Sequence, residues 1–462
     1  MKFGGTSLDN GEMIKHVAKL IKNLVLKRNN LIVVVSAMAD VTDRLIEATE
    51  NAVKSDQKTV RDFVETLSEL QMDAAKRCIH SKALLKRVLV EIDKLSKDIE
   101  KVLMSISYLR EVTPRSKDYI LSFGEKFSAA ILCTALEDLG LKAKSFTGGD
   151  AGIVTDNRFG EARPLMKVTA LQVKTRLEPV LEQGVIPVIA GFIAFTQDGI
   201  TTTLGRGSSD YTATILGASL EMDEVWIWTD TDGLMTADPK VEPLAKTIPL
   251  LSYAEATEMA YFGAKAMHPQ ALEPAIENSI PVRIKNTLKP DKECTLIVSE
   301  KSIGKENVAK SIAIIKGVAL VTVSGAFMIG APGVAAKVFG ILGENKINVL
   351  MISQSSSQAN MSFIVKREEL ALCVNTLELS LLGQGIAKEI TSEDDVCIIA
   401  IVGAGMKGTP GVAARIFSAI AEEGINVRMI AQGSSELNIS FVIKEEKGIL
   451  AVRKLHKEFQ LG

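Results

Sequence analysis

The sequence predicts an α/β body with a mainly parallel central sheet, followed by two small α+β modules. Two observations carry this. Strand-like and helix-like segments alternate through residues 1–298, and the remainder repeats itself at a fixed offset of 78 residues within a chain of 462.

The elements follow in order. Lys2-Phe3-Gly4-Gly5-Thr6-Ser7 reads as a strand end and a phosphate-sized loop, and apolar residues at Met13, Ile14, Val17, Ile21, Leu24 and Val25 keep helical spacing after it. Leu31–Ser36 is a continuous β-branched run, the pattern of a strand buried on both faces. Residues 57–110 are charged and periodic without turn signals, which predicts long helices. Strands are then expected at 186–193, 201–204, 224–229 and 282–285, with helices starting at Asp210 and Tyr253. Such alternation builds a parallel sheet with helical crossovers.

Charged and small residues at 299–307 mark a linker. Beyond it, GAFMIGAPGVAAKVF and INVLMISQSSSQANMSFIV match GAGMKGTPGVAARIF and INVRMIAQGSSELNISFVI without gaps. Gly325 falls on Gly403, Asn348 on Asn426, Gln354 on Gln432 and Asn360 on Asn438. Each unit reads strand, Gly/Pro loop, helix, strand, strand, helix. The expected domains are 1–298, 308–385 and 386–462, with a strand near 308–315 completing the second unit because Val308–Ile312 aligns with Ile386–Ile390.

Composition narrows the function. The net charge is −2 with both signs mixed, which gives no reason to expect nucleic acid or an anionic membrane as partner. Five scattered cysteines with no C-x-x-C pair fit a reducing cytoplasm and make a structural zinc site unexpected. The longest strongly apolar run, Leu31–Ala39, is too short to span a bilayer, and no signal peptide is expected.

One motif is a decoy. Gly403-Ala404-Gly405-Met406-Lys407-Gly408 fits the dinucleotide pattern, yet Phe327 stands where Gly405 does in the aligned copy, so a structural loop is the better reading. The N-terminal loop has better company. Ser36 and Thr42, Thr203–Asp210, and Trp228-Thr229-Asp230 all follow strands, where open α/β sheets bind ligands. The segment Ser122-Phe123-Gly124-Glu125 falls inside a helix.

Together KFGGTS, VVSAMADVTDRL, SFGE, TTLGRGSSD, WTDTDG, YFGAKAMHP and the tandem repeats resemble the aspartate kinases, members of the amino-acid kinase fold with two C-terminal ACT domains. The likeness spans essentially the whole chain and is nearest to the monofunctional type. It implies ATP-dependent phosphorylation of the side-chain carboxylate of L-aspartate, with Mg²⁺ as cofactor. By the same resemblance Lys2 and Asp210 are catalytic, while Ser36, Thr42, Glu125, Arg206 and Ser209 hold aspartate. Lys2, Gly4, Gly5, Thr6, Thr229, Asp230 and Lys265 would line ATP. Ordinary readings stand beside these: Lys2 as a surface lysine, Glu125 as a helix-face charge, and His268 as a packing or capping residue left out of catalysis.

Several features depart from the family. Ser208 replaces the second glycine of GRGGSD, Met235 a frequent tyrosine and Lys240 a frequent arginine. Only Met1-Lys2 precede the glycine loop, so either the start lies upstream or the first strand is short. In the repeats, Met328, Ala331, Asn348 and Gln354 of the first unit are the expected effector site, for threonine or lysine. ACT pairing implies a homodimer or tetramer. The competing functions are a catalytically dead sensor of the same architecture and an amino-acid kinase with another acceptor.

Overall fold

The computed structural model describes every residue except 27–29, 206, 263–266, 301–307 and 384, and the side chain of Phe327. Two compact units form. The first comprises Met1–Leu234, Pro249–Tyr253 and Ala266–Lys301; the second Met235–Ile248, Ala254–Lys265 and Ser302–Gly462.

The first unit is built on an eight-stranded sheet. Its order is Ala143–Thr147, Ile186–Ala190, Val33–Val35, Lys2–Phe3, Val225–Thr229, Val282–Asn286, Thr295–Val298 and Leu250–Ser252. Neighbours run parallel except Val282–Asn286 beside Thr295–Val298. The two-residue strand Lys2–Phe3 sits centrally, with Lys2 in register with Val34 and Ile227. Its neighbours Val33, Val34 and Val35 are buried, as a strand covered on both faces requires.

The charged stretch at 57–110 forms two helices, Gln57–Cys78 and Lys82–Leu109. Asp56 caps the first, accepting from the Thr59 amide at 3.0 Å. The break between them is held by Asp138, whose carboxylate accepts from the His80 and Ser81 amides, each at 2.9 Å. The strand expected at 186–193 is interrupted. Ile186–Ala190 ends, Phe192 takes a left-handed φ of 66°, and Ile193–Thr196 starts in a separate three-stranded sheet. The edge strand Ala143–Thr147 carries no apolar run and gave no signal in the sequence. Among the described residues one stretch, Pro114–Asp138, is long and apolar enough by composition to cross a membrane; 89% of its apolar window is buried inside the structure.

The second unit holds a six-stranded antiparallel sheet, ordered Met351–Gln354, Asn360–Lys366, Ser311–Ser324, Glu389–Val402, Asn438–Lys444 and Met429–Ala431. The two long central strands pair from Ser311 against Val402 to Ser324 against Glu389, so Ser311–Ile315 lies beside Ile398–Val402. Helices Val334–Glu344 and Val412–Glu422 follow their Gly/Pro loops. The repeat extends to ring packing: Phe339 meets Phe363 edge-on at 6.0 Å, and Phe417 meets Phe441 at 5.5 Å. Segment 235–248 lies against the same unit, where Ile312 N–H donates to Thr236 O at 2.8 Å and Thr236 bonds His456 at 2.9 Å.

Phe441 is fully buried in the core of the second repeat. Phe441→Ala should cost about 3–5 kcal/mol, read by denaturant unfolding of the transition that reports this unit. A loss below about 1 kcal/mol would mean that the core is not organised around that ring.

Candidate active site

The short strand Lys2–Phe3 delivers a lysine and a glycine turn to the centre of the sheet. Phe3 stacks on Trp228 with ring centroids 5.8 Å apart and planes within 7°, which fixes where the chain leaves the strand. Gly4 N–H donates to Trp228 O at 3.2 Å and Ser7 N–H to Gly4 O at 3.0 Å, closing a single 3₁₀ turn over Gly5–Leu8. Gly5 is required here: a Cβ would lie 2.9 Å from the carbonyl oxygen of Ala37.

Lys2 Nζ stands 2.6 Å from Asp210 Oδ1, with the two side chains 12% and 7% exposed. Among the described residues that oxygen has no aligned hydrogen bond, so its contact with Lys2 is an ion pair by proximity. Asp210 lies in the first turn of helix Ser209–Ser219. Burying such a pair costs desolvation that its mutual attraction has to offset.

Glu125 is the unusual group. It sits in the first turn of helix Phe123–Asp138 and is buried, and desolvation raises its pKa from the usual 4.5 to about 8. A hydrogen bond from the Ala37 amide and the charge of Lys2 pull the other way without prevailing. Gly124 makes this placement possible, because a Cβ there would come within 2.7 Å of the Ala37 methyl. Glu125 Oε2 is buried without a hydrogen-bond partner among the described residues. A buried acceptor left open in a site calls for an explanation, and a donor supplied by a ligand is one.

The other predicted residues take the following places. Ser36 N–H donates to Phe3 O at 3.1 Å, which ties the loop after Val33–Val35 to the glycine turn. Thr42 is the second residue of helix Val41–Val53, whose N-cap Asp40 takes a left-handed φ of 60°. Ser209 is buried beside Asp210. Ser208 adopts an ordinary φ of −85° and its hydroxyl donates to Gly205 O at 2.5 Å, so this position has no need of glycine. Thr229 and Asp230 end the next strand, with the Thr229 hydroxyl donating to Asp230 Oδ1 at 3.1 Å. Asn286 secures that turn through Asp230 O and Asp232 Oδ1, at 3.2 and 2.6 Å. Thr6 is exposed on the glycine turn. Arg206 and Lys265 fall outside the described residues.

Asp118 was missed by sequence reasoning. It is buried, and its carboxylate accepts from Thr203 N, Thr203 Oγ1 and Gly160 N at 2.9, 2.8 and 3.0 Å. Burial raises its pKa against those three donors. It fixes the end of strand Thr201–Thr203, from which the loop to Ser209 departs. Its signal was its place in SKDYILSFGE, seven residues before Glu125 on the apolar side of a short helix.

In the regulatory unit, Met328, Ala331 and Gln354 line one groove of about 360 Å³, together with Gly330, Pro332 and Gln358. Asn348 is exposed and does not line it. A larger cleft of about 680 Å³ opens at the other ends of the parallel strands, around Met1, Ile32 and Trp226, and contains no predicted site residue.

Residues 1–286 match the Amino acid kinase family, and residues 321–381 and 399–459 match the ACT domain. Aspartokinase 1, chloroplastic, of Arabidopsis thaliana is 31% identical over 99% of this chain and 79% of its own length. The aspartate kinase of Pseudomonas fluorescens is 35% identical over 77% of this chain and 85% of its own. The chain belongs to the aspartokinase family. As a member it is a kinase with tandem ACT domains. Escherichia coli aspartokinase III, solved with aspartate and ADP in its R-state, superposes with a TM-score of 0.84 at 29% identity, covering 99% of both chains. The same enzyme with lysine and aspartate, in its T-state, gives 0.81 at 29% identity, covering 99% of this chain and 98% of that one.

The raised pKa of Glu125 makes a stability prediction. The folded aspartokinase keeps this proton up to about pH 8, whereas the unfolded chain releases it near 4.5. Between those values the folded state binds more protons, so stability falls as pH rises and levels off above pH 8. Relative to Glu125→Gln, wild type should lose up to about 1.4 kcal/mol per pH unit across this window, measured by urea unfolding at several pH values. Parallel pH profiles for the two proteins would show that Glu125 ionises normally.

Proposed function

We propose that this aspartokinase transfers the γ-phosphoryl group of ATP to the side-chain carboxylate of L-aspartate, yielding 4-phospho-L-aspartate and ADP. The observation that carries the reading is the buried Glu125, whose Oε2 has no hydrogen-bond partner among the described residues and which lies against Ala37, the loop residue that also meets the glycine turn after Lys2. An α-amino acid brings an ammonium group that satisfies such an acceptor and ionises it.

The acceptor carboxylate is already ionised at neutral pH, so no general base is needed. One of its oxygens attacks Pγ as the bond from Pγ to the β,γ-bridging oxygen breaks. Positioning and charge neutralisation then dominate, as in phosphoryl transfer generally. Lys2 neutralises charge on the phosphoryl oxygens, and Asp210 holds the lysine in place. Arg206 receives the α-carboxylate as a forked donor, and Ser36, Thr42 and Ser209 complete the aspartate pocket. Gly4, Gly5 and Thr6 face the phosphates, Thr229 and Asp230 the nucleotide, and Lys265 is assigned to ATP by the family resemblance alone. Mg²⁺ suits an ion that arrives on the nucleotide: among the described residues no three His, Cys, Asp or Glu side chains form a cage, and Mg²⁺ favours phosphate and water ligands with one or two carboxylates.

The product leads towards lysine, threonine and methionine, and we read the groove of the first ACT unit as the site of a feedback effector, lysine or threonine. Its support is that Met328, Ala331 and Gln354 converge there beside the start of helix Val334–Glu344. The remaining readings are a homo-oligomer joined through ACT domains and, from five free cysteines, a reducing cytoplasm.

The activity test is ATP consumption with L-aspartate plus hydroxylamine, which traps the acyl phosphate as a hydroxamate. Glutamate in place of aspartate should give no signal; no hydroxamate from aspartate would favour the dead-sensor alternative. Lys2→Ala should lower kcat about a hundredfold or more while changing the KM for aspartate little. A kcat near wild type would remove Lys2 from the chemistry.

A further inference from the structure

The two ACT units share backbone angles and a hydrogen bond at matched positions of their Gly/Pro loops, and differ there in charge. Gly330 and Gly408 correspond at the offset of 78 and take left-handed φ values of 65° and 68°. Each faces the hairpin tip of its own unit, where Gln358 and Glu436 also correspond, with φ values of 60° and 56°. Gly330 N–H donates to Gln358 Oε1 at 3.1 Å, and Gly408 N–H donates to Glu436 Oε2 at 2.7 Å. One bond is therefore neutral and its counterpart charge-assisted.

Two more carboxylates serve the second repeat. Glu255, itself paired with Lys310 at 3.0 Å, accepts from Ala404 N–H at 2.8 Å, and Glu258 accepts from Asn438 Nδ2. At the matching Ala326 and Asn360 of the first repeat, no carboxylate takes these places among the described residues. The second repeat has its loop donors already occupied by the chain's own acids.

We propose that Glu436 is a built-in substitute for an effector carboxylate, closing the second ACT unit to amino acids, and that neutral Gln358 leaves the first unit open. This rests on reading the first-unit groove as the effector site. A charge-assisted bond is roughly twice as strong as a neutral one. A tethered group also acts at an effective concentration on the order of millimolar, which a free metabolite has to exceed. An incoming carboxylate meets an exchangeable amide–amide contact at Gly330. At Gly408 it meets an occupied donor and a like charge. Repeats with one backbone thereby acquire different specificity from a single atom type at one hairpin tip.

The test is equilibrium dialysis of L-lysine and of L-threonine against the full chain, with Gln358→Glu, Glu436→Gln and the double variant beside wild type. Both substitutions lie at partly exposed turn positions, and circular dichroism checks folding. Wild type should bind one of the two amino acids at one site per chain. Gln358→Glu should weaken that site by roughly tenfold or more, as expected for a charged hydrogen bond placed in competition. Glu436→Gln should add a second, weaker site per chain. The double variant should keep the added site while its first site is weakened as in Gln358→Glu. Unchanged binding by Gln358→Glu, or a single site in Glu436→Gln, overturns the proposal. If wild type binds neither amino acid, the effector reading itself fails and the proposal falls with it.

Discussion

A carboxylic acid kept from water beside a lysine–aspartate pair is the constraint on which the catalytic unit turns. Glu125 cannot ionise cheaply where it lies, and Lys2 is already engaged by Asp210 at 2.6 Å. The surroundings are arranged to sustain this. Gly124 admits the Ala37 methyl, Gly5 admits the Ala37 carbonyl, and the Ala37 amide points at Glu125. One loop residue thus touches both the helix that carries the acid and the turn that follows the lysine. A side chain at either glycine would separate the two halves of the site. Among the described residues Glu125 Oε2 is left without a hydrogen-bond partner, and on the proposed function that opening is the place of the substrate ammonium.

Much of this was legible because the chemistry is concentrated in short segments at strand ends. Lys2, Ser36, Thr229 and Asp230 stand there in the sequence pattern, and Asp210 follows a Gly-rich turn into a helix. Roles were harder to read. Glu125 in SFGE looks like any helix-face charge until burial is known, and only the family resemblance singled it out. Asp118 escaped because its place on the apolar side of a short helix says nothing of its partners, two backbone amides and a hydroxyl brought from distant segments. Strand Ala143–Thr147 escaped for a related reason: as an edge with exposed Lys144 and Ser145 it lacks the apolar run that exposes buried strands. At residues 186–193 the apolar run was clear, but it could not show that Phe192 turns the chain into a second sheet.

The regulatory unit shows what a repeat does and does not reveal. Identity at a fixed offset identified two equivalent modules, and the phenylalanine pairs confirm equivalent cores. The differences that matter are single substitutions at otherwise matched positions, such as Gln358 against Glu436. Their meaning appears only when the hairpin tip and the Gly/Pro loop are seen to meet. Burial conserves the shared fold, while exposed polar tips remain free to diverge in charge at little cost to stability.

If Glu125 is held protonated until substrate arrives, aspartate binding must expel its proton. With a pKa of about 8, the group is roughly nine-tenths protonated at pH 7. Isothermal titration of aspartate in buffers of different ionisation enthalpy measures that release directly. The account predicts close to one proton released per site at pH 7, falling towards none above pH 9, and none for Glu125→Gln. Binding of aspartate to wild type at pH 7 with no proton released would contradict it.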